Sequence, residues 1–378
     1  MNKDTRQLVQ ALHDAPPRVV IVTAGAGTEA LSNLLGVAGA TRTLLEALVP
    51  YSESSFNNFL GKSPKSYVTA KTARLLAGRA YTRALMLEPE QLPIIGFACT
   101  ATIATDRPKR GEHRAYITTW QPEKMDSYSL HLEKGKRARG GEEHLISIII
   151  LNALATAMSI KLQLPVVLQG NDELSIQRID FTATANQLRQ EVIDFWGVSA
   201  DGRILHTPPT AILSGSFNPL HNGHLELAAV AQEILATPVA FECTAVNADK
   251  PPLTTTALLN RMSQFAGQWP VYASNAPTFV QKAHLYSKAT FIVGYDTAER
   301  ILQTKYYNNS EANMRQALSE LQEQGCSFLV AGRINSNEIF RHISNLNIPA
   351  GYDNLFQAIP DNLFRQDISS THIRAKLT

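Results

Sequence analysis

The run Ala211-Ile-Leu-Ser-Gly-Ser-Phe-Asn-Pro-Leu-His-Asn-Gly-His224 constrains the fold more than any other stretch of the chain. An apolar strand ends at Gly215, and a helix is predicted to begin near Leu220. Strand, glycine turn and helix in immediate succession open a βα unit, and such units stack into a parallel sheet with helices on its faces. The alternation continues downstream: Val239–Cys243, Ala289–Gly294 and Ser327–Ala331 read as strands with helical patterns between them. This predicts a doubly wound, Rossmann-like α/β domain whose ligands bind at the carboxyl ends of the strands. Gly215 lets backbone approach a ligand closely, and the helix start offers unpaired N–H groups and a positive dipole end. His221 and His224 are three residues apart, which puts both imidazoles on one face of the first helical turn. Two hydrogen-bond donors beside a helix N-terminus suit a phosphate. A turn with two surface histidines is the plainer alternative, and the strand–Gly–helix context weighs against it. A zinc site lacks a third ligand set and the H-E-x-x-H spacing.

The first half is patterned in a similar way. Thr5–Leu12 reads as a helix, and Arg18–Thr23 is a continuous β-branched run of the kind that forms a fully buried strand. Helix Thr69–Leu87 precedes a strand at Pro93–Cys99, a further strand follows at Arg114–Trp120, and Glu142–Ile160 reads as a long buried helix. Strands alternating with helices predict an α/β layered domain. Pro165–Leu168 and Leu174–Ile179 read as short strands around the turn Gly170–Asp172, and Leu188–Trp196 as a helix, with Pro208-Pro209 marking a boundary. The expected division is a first domain over 1–163, a structured connector over 164–206 and a second domain over 207–378, as a chain of 378 residues suggests.

Composition narrows the function. A hydrophobic fraction of 44% and a charged fraction of 18% fit a globular chain and exclude a disordered one. The net charge of +2 gives no general electrostatic reason to bind nucleic acid or membrane, so any phosphate affinity must be local. Cys99, Cys243 and Cys326 are far apart with no C-x-x-C, which argues against a disulfide framework or zinc ribbon and for a reducing compartment. The first residues carry no apolar leader core. The longest apolar run, Leu145–Ile160, is interrupted by Ser147, Asn152, Thr156 and Ser159 and falls short of the roughly 20 residues that a membrane span needs. A cytoplasmic protein is expected. The basic residues Arg107, Lys109, Arg110, Arg114, Lys134, Lys136, Arg137 and Arg139 read as solvated loops, with acids nearby and few aromatics among them.

Gly215–His224 closely resembles the H-x-G-H signature of the nucleotidylyltransferase superfamily. In that family the two histidines contact the nucleotide triphosphate and stabilise the transition state. Ile368-Ser-Ser-Thr-His-Ile-Arg374 can cap a helix and present a guanidinium, and it resembles the I-S-S-T-x-I-R signature of nicotinamide or nicotinate mononucleotide adenylyltransferases, although only four residues follow Arg374. Asn247–Leu253 is similar to the family's lysine loop, Arg261 to an arginine on the next helix, Gly294-Tyr-Asp296 to its G-x-D segment, and Arg333 to a further basic residue lining the site. The resemblance implies catalytic roles for His221, His224, Lys250 and Arg374. It implies nucleotide contacts at Gly215, Ser216, Phe217, Gly294, Asp296, Arg333, Ser369, Ser370 and Thr371. Trp269, Tyr295, Tyr306 and Tyr307 are all candidates for the aromatic that stacks on the pyridine ring.

The first domain resembles the C-terminal domain of the CinA family, which includes nicotinamide-nucleotide amidases. Thr23-Ala-Gly-Ala-Gly-Thr28 stands where that family has T-A-E-S-C-T. Val37-Ala-Gly39, Tyr51-Ser52, Ser66–Thr69 and the pair Arg137 and Arg139 are similar to other family segments. Ala26 replaces the nucleophilic serine, Gly25 the preceding glutamate, and Thr100–Thr105 the glycine-rich loop. An acyl-enzyme needs an activated nucleophile, so amidase activity by the family mechanism is not expected.

The resulting expectation is adenylyl transfer from ATP, accompanied by Mg²⁺, to a phosphorylated small-molecule acceptor, nicotinamide or nicotinate mononucleotide first, with release of pyrophosphate. No dedicated protein metal site, no nucleic acid and no membrane are expected, and a homo-oligomer is. A cytidylyltransferase acting on a phosphorylated alcohol and a non-catalytic nucleotide sensor or scaffold are the competing readings.

Overall fold

The computed structural model describes residues 1–88, 92–106, 110–246, 251–334 and 340–365. Contacts divide the chain into two compact units. One is Met1–Thr182 with Ser199–Arg203 and Ser263–Gln268; the other is Ala183–Val198, Ile204–Met262 and the chain from Trp269 onward. Residues 164–206, expected as a connector, are shared between them.

The first unit runs α1 (Lys3–Asp14), β1 (Arg18–Ala24), α2 (Thr28–Leu35), α3 (Ala40–Thr43), β2 (Leu44–Leu48), α4 (Glu53–Leu60), α5 (Ala70–Leu87), β3 (Ile94–Thr102), β4 (His113–Trp120), β5 (Lys124–Leu132), α6 (Arg139–Ala157) and β6 (Glu173–Asp180). Its sheet has the order β2-β1-β3-β4-β5-β6. β2, β1 and β3 are parallel, and β3 to β6 are antiparallel. The β-branched run of β1 lies in the middle of the parallel part and is buried almost throughout, as its composition requires. One core joins Leu8 and Leu12 of α1, Ile146, Ile150 and Leu154 of α6, and Val19, Ile21, Phe97 and Ile117 of the sheet.

Two local expectations fail here. Pro165–Leu168 forms no strand. Side chains hold this stretch instead of a ladder: Asn152 accepts from Leu164 N–H at 2.7 Å and donates to its carbonyl at 2.8 Å, and Arg137 donates to the Val167 carbonyl at 2.8 Å. β6 pairs instead with β5, a strand whose polar residues hide it from the hydrophobic pattern. The long helix is also displaced toward the N-terminus, to Arg139–Ala157, because Ser159 at φ 60° turns the chain out of the helix.

α7 (Phe181–Arg189) leads into the second unit, which contains β7 (Phe195–Val198), β8 (Ile204–Leu205), β9 (Ala211–Ser214), α8 (Asn222–Leu235), β10 (Ala240–Thr244), α9 (Thr255–Ser263), β11 (Val271–Ser274), α10 (Phe279–Leu285), β12 (Thr290–Gly294), α11 (Tyr295–Ile301), α12 (Glu311–Glu323), β13 (Ser327–Ala331), β14 (Arg333–Ile334), β15 (Phe340–Arg341) and β16 (Phe356–Ala358). The helix expected over Leu188–Trp196 is replaced by the end of α7, a turn with Glu191 at φ 58°, and β7, whose fully buried Trp196 pairs with Ala273.

The main sheet has the order β16-β13-β12-β9-β10-β11-β7-β8. The first six in that order are parallel, and β7 and β8 extend the sheet antiparallel. The chain builds β9, β10 and β11 outward, returns to place β12 on the other side of β9, and then adds β13 and β16. This is the doubly wound arrangement, with its topological switch point between β9 and β12. Among the described residues no helix is long and apolar enough to cross a membrane.

Candidate active site

The register sets Leu213 of β9 against Phe241 of β10 and Ile292 of β12, so the chain leaves β9 at the switch point. Gly215 donates its N–H to the Glu242 carbonyl at 3.0 Å. A Cβ at Gly215 would lie 2.8 Å from Cζ of Phe217, so the close approach that glycine serves is to this aromatic ring. Phe217 stands at φ 42°, and its buried ring packs edge-on against Phe241 and His224, with centroids 5.3 and 5.0 Å away. The helix begins at Asn222 rather than near Leu220, with His221 as its N-cap in extended conformation.

The two imidazoles stack, with centroids 3.7 Å apart and planes 25° from parallel. The His221 N–H donates to His224 Nδ1 at 3.4 Å. A neutral His224 ring that accepts at Nδ1 carries its proton on Nε2, which makes Nε2 the donor. Burial lowers the His221 pKa, and burial together with the neighbouring His221 lowers that of His224 to about 4. Both rings are then neutral at pH 7. Arg261 on α9 reaches back to the glycine turn and donates from Nη1 to the Ser216 carbonyl at 3.3 Å. Its place on a helix was legible in the sequence; its place beside this turn was not.

Across the switch point, Gly294 ends β12, and among the described residues no atom beyond its chain neighbours lies within 4 Å of the place a Cβ would take. Asp296, in the first turn of α11, pairs with Arg333 after β13. Two residues assigned separately to the nucleotide thus hold each other.

The carboxyl end of β1 in the first unit is built differently. Ala26 is buried, and its carbonyl accepts from Thr23 Oγ1 at 2.6 Å. Gly25 stands at φ 94°, and a Cβ there would meet the Ala101 carbonyl oxygen at 1.9 Å, so this backbone admits no glutamate at 25. The Glu143 carboxylate of α6 accepts from the N–H groups of Gly27 and Glu29, each at 3.0 Å, and from Thr28 Oγ1 at 3.2 Å. The donors at the start of α2 are therefore occupied by the chain's own carboxylate.

Residues 212–376 match the Cytidylyltransferase-like family model. The span takes in the glycine turn, both histidines, Arg261, Asp296 and Arg333. No curated protein matches the chain. Among solved structures, the chain is similar to the competence/damage inducible protein CihA from Agrobacterium tumefaciens, at 17% identity over 42% of this chain and 96% of that one, with a TM-score of 0.32. It is also similar to a competence-damaged protein (CinA) superfamily protein from Enterobacter cloacae, at 15% identity over 41% of this chain and 90% of that one, with a TM-score of 0.33.

Within the cytidylyltransferase-like span, the structure brings Gly215, Ser216, Phe217, His221 and His224 together around one helix start. Gly294, Asp296 and Arg333 lie at the ends of β12 and β13. Lys250, Ser369, Ser370, Thr371 and Arg374 lie outside the described residues. Of the four aromatic candidates, Tyr295 is buried with its hydroxyl on the Asn345 carbonyl, and Tyr307 donates to the Ile301 carbonyl. Trp269 packs on Phe241 at the amino end of β11, away from the carboxyl ends. Tyr306 is exposed beneath the Lys305 ammonium. Among the described residues no three His, Cys, Asp or Glu side chains gather as a metal site.

Proposed function

We propose that the second unit transfers a nucleotidyl group from a nucleoside triphosphate to a phosphorylated acceptor. The carrying observation is the stacked His221–His224 pair at the start of α8, on the carboxyl side of the switch-point strand. An oxygen of the acceptor phosphate attacks the α-phosphorus in line, the bond to the α–β bridging oxygen breaks, and pyrophosphate leaves. The attacking group is already an anion, so the protein needs no nucleophile of its own, and its work is positioning and charge stabilisation. His221 and His224 donate to oxygens of the α- and β-phosphates as charge develops there. Gly215–Phe217 lies along the phosphates with Arg261 beside the turn. Lys250 orients the acceptor phosphate. Ser370, Thr371 and Arg374 hold the β/γ end, and Gly294, Asp296 and Arg333 contact the nucleotide from the ends of β12 and β13. Magnesium, if bound with the triphosphate, would be held by phosphate oxygens and water rather than by a cage of this chain's side chains, and would supply charge neutralisation for the leaving pyrophosphate.

The Ser-Ser-Thr-x-Ile-Arg segment supports ATP as donor and a pyridine mononucleotide as acceptor. The family match supports a second reading, CTP with a phosphorylated alcohol. Pyrophosphate release separates them. With nicotinamide or nicotinate mononucleotide, release from MgATP is expected; release from MgCTP alone would sink the adenylyl assignment. The first unit is proposed to lack acyl-enzyme hydrolysis, since Ala26 offers no nucleophile and Glu143 fills the adjacent donors.

A further inference from the structure

Glu242, in the middle of β10, is 0% exposed, and Lys282 on α10 is 3% exposed. Lys282 Nζ donates to the two carboxylate oxygens of Glu242 at 2.7 and 2.6 Å and to Thr244 Oγ1 at 2.7 Å, which uses its three N–H groups. Ser274 Oγ on β11 donates to Glu242 Oε1 at 2.6 Å. Thr244 Oγ1 donates to Glu242 Oε1 at 3.4 Å, and Ser274 Oγ accepts from the Ala276 N–H at 3.3 Å. A buried ion pair is often no more stable than apolar residues of the same size, so stability alone does not account for it.

Its position does. Glu242 and Ser274, joined through their side chains, hold two loop stems with their main chains. The Glu242 carbonyl accepts from Gly215 N–H at 3.0 Å, where the glycine turn leaves the sheet. The Ser274 carbonyl accepts from Ala245 N–H at 2.8 Å, and the Ala245 carbonyl accepts from Leu253 N–H at 2.9 Å. These last two bonds close both stems of the segment that carries Lys250. One buried knot on the α10 side of the sheet thus fixes where the glycine turn and the 246–252 segment leave the sheet.

We propose that Glu242 and Lys282 are positioning residues for the nucleotide site, locking the ends of β9 and β10 so that the glycine turn and the 246–252 segment start from one fixed place. What they position rests on the nucleotidyl-transfer reading; the locking itself does not. The test is the full-length Glu242→Leu/Lys282→Met protein, which leaves no unpaired buried charge. It should keep its thermal midpoint. Amide hydrogen exchange at Gly215 and Ala245 should quicken about tenfold or more while that of Ile292 and Leu329 stays unchanged. The turnover number for pyrophosphate release should fall about tenfold or more, with KM for the nucleotide within about threefold. Unchanged exchange at Gly215 and Ala245, or faster exchange with unchanged turnover, would overturn the proposal. Absence of turnover in the native protein would sink the nucleotidyl-transfer reading and leave the lock to be judged on exchange alone. If the double variant does not fold, Lys282→Arg, which keeps the charge and alters the donor geometry, is read by the same measurements.

Discussion

Acidification from pH 7 to 5 should destabilise the native protein more than it destabilises a His224→Gln variant. In the folded chain His224 resists protonation until about pH 4, against an ordinary value of 6.5. The cause is its place between the Phe217 ring and the stacked His221. An unfolded chain takes up the proton as pH falls below 6.5, and the folded one does not. The stability that the neutral ring contributes is therefore complete above pH 6.5 and is lost progressively as pH falls toward 4. Each pH unit inside that window is worth up to about 1.4 kcal/mol. Linkage gives a loss of about 2 kcal/mol between pH 7 and 5 for a ring fully shielded from solvent, and partial exposure brings this to about 1–2 kcal/mol. Urea unfolding of both proteins at both pH values isolates the effect, because carboxylates titrate alike in each and cancel in the double difference. The transition to read is that of the second unit, since a chain of two units need not unfold in one step. An equal loss in the two proteins would refute the idea that His224 is held neutral by its burial.

Other consequences follow from single contacts. Gly215→Ala places a Cβ 2.8 Å from the Phe217 ring, which is packed against Phe241 and His224, so a loss of about 1–3 kcal/mol is expected in chemical denaturation, and unchanged stability would contradict that packing. Arg261→Ala removes the guanidinium beside the glycine turn and should weaken nucleoside triphosphate binding by roughly tenfold or more, measured by calorimetry. Ala26→Ser supplies a hydroxyl but leaves Glu143 on the Gly27 and Glu29 N–H groups, so no ammonia should be released from nicotinamide mononucleotide; release at an enzyme-like rate would overturn the proposal for the first unit.

The legible parts of the sequence were those whose burial is carried by their own composition. β1, β9, β12 and β13 are short continuous runs of apolar residues, and covering both faces of a parallel sheet requires that. The strand–Gly–helix turn was legible because its residue types serve local backbone and local capping. β5 escaped because its buried polar residues are satisfied across strands. Asp126 accepts from Arg178 of β6 at 2.6 Å, and Ser127 lies 3.4 Å from Thr118 of β4. Such pairs look like solvent-facing residues until the sheet is assembled. Pro165–Leu168 misled in the opposite direction, since an extended apolar stretch can be held by Asn152 and Arg137 without joining a ladder. In the candidate site, spacing placed His221 beside His224. The partners that matter most at longer range, Arg261 at the Ser216 carbonyl and Lys282 on Glu242, join residues 45 and 40 positions apart, and no local periodicity encodes that. Glu242 within Ala-Phe-Glu-Cys-Thr reads as a polar interruption of a strand and is instead fully buried.

The most direct measurement is pyrophosphate release by the full-length protein and by His224→Ala, with MgATP or MgCTP and nicotinamide or nicotinate mononucleotide or a phosphorylated alcohol as acceptor. Release that requires both nucleotide and acceptor, strongest with ATP and a pyridine mononucleotide, and that falls about a hundredfold or more in His224→Ala, is the expected result. Release from neither nucleotide with any of these acceptors, or equal rates in the two proteins, would contradict the role assigned to the histidine pair.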